Sequence, residues 1–163
     1  MSEFEKVTIK LPSDDYSIIE FSQDEKPGMM TVNSALKDFD NKHPFAWHLS
    51  VLVLLGETIK DNMPSQVEQQ AMVDFEKKLD KVIRQDGNAL YLATITQDGH
   101  CEMIWRVYNP EIANDYLHEL IESEDHSRPF EFTLEQDITW AKAKFPLESL
   151  DGEYIENDID TPK

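Results

Sequence analysis

At 163 residues, with 40% apolar side chains, the chain is long enough to bury the core of one domain without staples. Its 15 basic residues against 33 acidic ones leave a net charge of −18, a field that repels phosphate backbones and anionic membrane surfaces and favours cations or a basic protein partner. The single cysteine excludes an intramolecular disulfide framework and suits a reducing compartment.

The start, Met1 to Glu5, is acidic rather than basic and apolar, and the longest apolar run, Val51 to Leu55, is too short to cross a bilayer, so a cytoplasmic protein is expected. Val7 to Leu11 and Tyr16 to Phe21 are expected to be strands joined by a turn at Pro12 to Asp15. Gln23 to Gly28 reads as a polar loop and Met29 to Asn33 as a third strand. Trp47 to Leu55 is the strongest strand: Trp47, Leu49, Val51, Val53 and Leu55 share one face, and Leu52 and Leu54 make the other partly apolar.

Ser65 to Gln85 is predicted as a helix, with Val67, Ala71, Met72, Phe75, Leu79, Val82 and Ile83 at helical spacing. Ser65 and Glu68 match a capping box, and Gly87 stands where the helix should stop. Two strands then meet at Asp98-Gly99, a tight-turn signal because both residues tolerate positive φ. The second strand runs into Asn109-Pro110, an N-cap side chain followed by proline at the first helical position, opening a helix to about Glu122. Pro129 to Leu134 is a strand with Phe130, Phe132 and Leu134 inward, and a short helix from about Ile138 ends before Pro146.

From Trp47 onward the order is strand, helix, strand, strand, helix, strand, which is that of a ferredoxin-like, split β-α-β, antiparallel sheet covered by two helices. The expected fold is therefore α+β. One domain spans 1–150, with its core at 47–145, a β extension at 1–46, and an acidic, frayed tail at 151–163.

A two-residue turn at Asp98-Gly99 pairs Gln97 with His100 and, continued evenly, Leu92 with Trp105. One face of the hairpin then carries Leu90, Leu92, Thr94, Cys101, Met103, Trp105 and Val107 under the helices. The other carries Tyr91, Ala93, Ile95, His100, Glu102, Ile104, Arg106 and Tyr108, and is either covered by the N-terminal strands or open as a working surface.

Chemistry is sparse. Cys101 points away from His100 and Glu102, which makes it a small core hydrophobe rather than a nucleophile. His43, His48, His100, His118 and His126 form no metal-ligand spacing. No glycine-rich phosphate loop or nucleophile elbow is present, and no carboxylate pair stands out among so many. Neither catalytic residue nor metal nor cofactor is expected. The helix after Pro110 carries Glu111, Asp115, Glu119 and Glu122 as one stripe, with no Lys or Arg between Glu111 and Asp125. Like charges at this spacing cost a few tenths of a kcal/mol each, and acids in the last turn oppose the helix dipole. The stripe is either a docking face for a basic partner or a merely solvated surface.

The hairpin from Tyr91 to Tyr108, the helix after Asn109-Pro110, Phe130-Glu131-Phe132 leading to Asp137 and Trp140, and the earlier Met30 to Asn33 and Trp47 to Leu55 resemble a bacterial family catalogued as domain of unknown function 695, over roughly Tyr16 to Phe145. The second half is also similar to the regulator of ribonuclease activity B, a small acidic ferredoxin-like protein that binds and inhibits ribonuclease E. These resemblances imply a fold and, for the second, an acidic inhibitor acting on a basic nuclease; neither brings catalytic residues, and the strands before Trp47 depart from the ribonuclease regulator.

Three functions from different classes follow. The first is a non-catalytic regulator that contacts a basic protein through Glu111, Asp115, Glu119 and Glu122, without touching nucleic acid or membrane. The second is a small-molecule binder or enzyme that uses a sheet face with His48, Tyr91, Arg106 and Tyr108, where a buried arginine would pair with an anion. The third is a homodimeric scaffold pairing through a strand edge.

Overall fold

Two tight hairpins organise the sheet. The computed structural model describes residues 10–123 and 129–151. Strands β1 (Tyr16–Gln23) and β2 (Lys26–Asn33) are joined by Asp24 and Glu25, both at positive φ. Strands β4 (Ala89–Gln97) and β5 (His100–Val107) are joined by Asp98 and Gly99, again both at positive φ. Such turns match the right-handed twist of the strands they connect. The second was legible from Asp98-Gly99. The first was not, because Asp24-Glu25 carries no glycine: the expected loop at Gln23 to Gly28 is instead the end of one strand, the turn, and the start of the next.

Between the hairpins lie β3 (Trp47–Leu54) and helix α1 (Gln66–Ile83); after them come α2 (Pro110–Ser123), β6 (Phe130–Gln136) and the short α3 (Lys144–Ser149). Among the described residues six strands form one sheet in the order β1-β2-β4-β5-β3-β6, every neighbouring pair antiparallel. Mixed α+β architecture is thus established. The first hairpin extends the sheet at its edge rather than covering a face. Of the expected strand Val7 to Leu11, residues 7–9 lie outside the described residues, and Lys10 and Leu11 are not in a strand. The expected tail also lies outside them, apart from Asp151.

Each sheet face buries its own core. On one face α1 and α2 press Met72, Phe75, Leu79, Ile83, Ala113, Leu117 and Leu120 onto Leu49, Val51, Val53, Met103 and Trp105. Phe130, Phe132 and Leu134 of β6 pack against this cluster, as their spacing predicted. Ser65 caps α1, its Oγ accepting from the Glu68 N–H at 3.1 Å; the Glu68 carboxylate accepts from Gly56 N at 2.7 Å, and the Ser65 N–H donates to the Glu57 carbonyl at 3.1 Å. Asn109 caps α2 by accepting from Glu111 N at 3.0 Å. Val67, placed by its spacing on the apolar side of α1, is exposed.

On the opposite face Phe21, Met30, Val32, Leu90, Leu92, Ala93 and Ile104 meet Leu36 and Phe45 from the segment after β2, and Trp140 and Ala143 from the C-terminal segment. These two segments, not the N-terminal strands, are the cover. The helix expected to end before Pro146 instead contains it: Ala141–Ala143 is a single 3-10 turn and Pro146 lies in the first turn of α3, where its missing N–H leaves no helical bond unmade.

A bulge in β4 changes the facing of half the hairpin. Pairing is even from Gln97↔His100 to Ala93↔Ile104, then shifts so that Tyr91, not Leu92, opposes Trp105. Leu92 is the extra residue, and Leu90 and Leu92 turn to the second core while Tyr91 turns under α1. The Tyr91 carbonyl accepts from Asn33 Nδ2 at 3.0 Å. Asn33 is itself buried and bonded to Asp14 and Asp15, so a long-range side chain anchors the irregularity.

Candidate functional site

The four residues of the expected sheet-face site do not come together. Arg106 and His48 are neighbours across β5 and β3 and project onto the second core. Tyr91 is on the opposite face because of the bulge, and Tyr108 lies past the end of β5, 60% exposed, with its ring 6.5 Å from that of Phe45.

Arg106 is 0% exposed and makes four hydrogen bonds through its guanidinium. Nη1 donates to Asp137 Oδ2 at 2.8 Å and to His48 Nδ1 at 3.0 Å; Nη2 donates to the Asp137 carbonyl at 2.6 Å, and Nε to the Phe45 carbonyl at 3.3 Å. Its Cζ lies over the Trp140 ring, 4.5 Å from the ring centroid. Asp137 also accepts from the backbone of Ala141 and Lys142, and the Trp140 indole donates to the carbonyls of Lys42 and Phe45. Trp140 holds a left-handed backbone, a strained choice for a bulky residue that such over-determination sustains. Burial resists ionisation of Asp137, but backbone bonds and Arg106 outweigh it and hold the carboxyl below its usual range. Burial, then the Arg106 charge, push His48 down to about 4, so it stands neutral and accepts from Arg106. The cluster ties the two covering segments to the sheet, and the Asp137 carboxylate already stands where an anionic ligand would pair with Arg106.

A cavity lies on the other face. The first hairpin extends the sheet beyond the reach of α1, leaving a step whose floor and walls enclose a cavity of about 410 Å³. Its floor is the cross-strand rows Thr31–Thr94 and Met29–Thr96–Cys101. One wall is α1, through Met72, Val73 and Glu76; the other holds the Tyr16 and Tyr91 rings, edge to face at 5.7 Å. A short polar chain runs along the wall: Tyr91 Oη and Thr94 Oγ1 are 2.6 Å apart, and Thr94 Oγ1 donates to Glu76 Oε1 at 2.7 Å. Burial raises the Glu76 carboxyl above its usual range, assisted by Asp80 and opposed by the Thr94 bond. Burial also raises Tyr91, pushes the Cys101 thiol up to about 12, and, with Asp14 beside it, pushes Tyr16 up to about 12. Cys101 is therefore an inert thiol at neutral pH.

Sequence reasoning missed this cavity. Glu76 reads as one more polar residue on an amphipathic helix, and only the bulge brings Tyr91 to it. One signal was present: the run from Ala89 to Ala93 is apolar at every position, which an evenly alternating strand with one helix-covered face does not require.

On α2, Glu111, Asp115, Glu119 and Glu122 are all exposed opposite Ala113, Leu117 and Leu120, and no described Lys or Arg forms an ion pair with them. Among the described residues no group of His, Cys, Asp and Glu is arranged to hold a metal ion, and no helix is long and apolar enough to cross a membrane.

These features define an α+β domain with a closed ionic cluster on one sheet face and a cavity on the other. The chain belongs to the family of unknown function DUF695, whose model matches residues 14–144. No curated protein and no solved structure matches it.

Proposed function

We propose that this protein is a non-catalytic cytoplasmic regulator that docks a basic, nucleic-acid-processing protein on the outer face of α2. The observation that carries the reading is the state of Glu111, Asp115, Glu119 and Glu122: one continuous exposed stripe with no described cation paired to it. Such a face raises the association rate of a positively charged partner and sets its orientation. A net charge of −18 points the same way and argues against direct contact with nucleic acid.

The strand order from β3 to β6, with α1 and α2 on one face, supports a ferredoxin-like core carrying an added hairpin. The second half's similarity to the regulator of ribonuclease activity B supports a basic ribonuclease as the target class. The experiment is a pull-down from native cytoplasm at low and high salt, beside a triple variant Glu111→Lys, Asp115→Lys, Glu119→Lys. The expected result is a stoichiometric basic protein released by salt and absent with the variant. Capture that is unchanged by the triple reversal removes α2 as the docking face.

A further inference from the structure

We propose that the cavity between α1 and the β2–β4 floor is a binding site for a small organic ammonium ion: an apolar or aromatic body carrying one protonated amine, held at Glu76. The volume, about 410 Å³, falls in the range of small-molecule sites, and the walls are of the matching kind, mostly apolar with few polar groups. The apolar part comes from Met29, Met72 and Val73, flexible thioethers and an aliphatic side chain that adapt to a guest. Tyr16 and Tyr91 add two aromatic rings, which attract a cation through their faces.

Charge decides the sign of the guest. Glu76 Oε1 is taken by Thr94, while among the described residues no hydrogen bond reaches Oε2. Asp80, the other carboxylate at the cavity, is already committed to the Trp105 indole at 2.8 Å and lies 3.6 Å from Arg84. Lys77 also lines the cavity but is exposed, which leaves its ammonium in water. A partly buried carboxylate with one oxygen that no described residue bonds is the group an ammonium ion would satisfy, through a charge-assisted hydrogen bond, and an anion would be repelled by it. Burial opposes the ionised form of Glu76 in the empty site, and an entering cation offsets that penalty.

Of the residues lining the cavity, Tyr16, Met29 and Val73 are exposed, so a guest can enter without the fold coming apart. The site shares no residue with α2, so it stands or falls independently of the docking face proposed above.

The test uses two probes of nearly equal shape, 2-phenylethylammonium chloride and neutral 2-phenylethanol, titrated into the full chain and followed by amide chemical shifts. We expect the ammonium to perturb the amides of α1, β2 and β4 around the cavity and to bind about ten-fold more tightly than the alcohol, one charge-assisted bond's difference. Glu76→Gln, nearly isosteric, should abolish that preference and leave the alcohol's affinity unchanged. Val73→Trp, at an exposed position that tolerates bulk, should block both probes. Equal affinity for the two probes, an ammonium preference that survives Glu76→Gln, shifts that map elsewhere, or no binding of either would each overturn the proposal.

Discussion

Removing one partner of the Arg106–Asp137 pair should cost a large part of the stability of the protein. Arg106→Met leaves the Asp137 carboxylate, with a side chain 9% exposed, without its counter-charge, and strips a donor from the carbonyls of Asp137 and Phe45 and from His48 Nδ1. Asp137→Asn instead strands the Arg106 charge in the second core. Breaking a buried pair from one side costs about 3–5 kcal/mol, because the orphaned charge keeps its desolvation penalty and loses its compensation. Domains of this kind have about 5–15 kcal/mol in total, so each single variant should unfold at clearly lower urea concentration. The double variant Arg106→Met/Asp137→Asn removes both charges and should be less destabilised than the sum of the singles by at least about 2 kcal/mol. Urea unfolding at pH 7, followed by far-ultraviolet circular dichroism for all four proteins, measures the cycle. Singles that each cost less than about 1 kcal/mol, or a double that is simply additive, would refute the view that this cluster clamps the covering segments to the sheet.

Two further outcomes follow from the same structure. His48 titrates near 6.5 in the unfolded chain and at about 4 in the folded one, so between those values the unfolded state binds the extra proton. Its contribution, up to about 3 kcal/mol, is fully present above pH 6.5 and lost as pH falls toward 4; His48→Gln should flatten the stability profile in that window, and an unchanged slope would count against a neutral buried His48. Gly28 lies directly opposite Phe21, whose buried ring would come within 2.4 Å of an added Cβ and which also packs edge-on to Phe145 at 5.8 Å. Gly28→Ala should cost about 1–3 kcal/mol through displaced packing, read as a fall in Tm of several degrees; an unaltered Tm would mean that the ring moves freely.

Much of this fold was legible because its signals are local. Asp98-Gly99, Ser65 before the apolar stripe of α1, and Asn109-Pro110 each act through the backbone of two or three neighbouring residues, and each is found where the sequence places it. Helix faces and the alternation of β3 follow from period alone. The Asp24-Glu25 turn was hidden because residues without a glycine's freedom adopt positive φ there, held by strand pairing on both sides.

What tertiary structure alone decided was facing. An even register carried back from Asp98-Gly99 puts Tyr91 beside Arg106; one extra residue at Leu92 puts them on opposite sides of the sheet. Strand periodicity contains no term for a bulge, since its cost is met by contacts remote in sequence: Asn33 Nδ2 on the Tyr91 carbonyl, 58 residues away, and apolar cores waiting on both faces. The same non-locality closed the Arg106 face, whose partner Asp137 is 31 residues away, and opened the cavity, which exists because the first hairpin widens the sheet past the helix above it. Composition and period therefore indicate most of the core residues and the kind of element that carries them; which buried residues share a site is set by register and by long-range pairing, and these are properties of the folded chain.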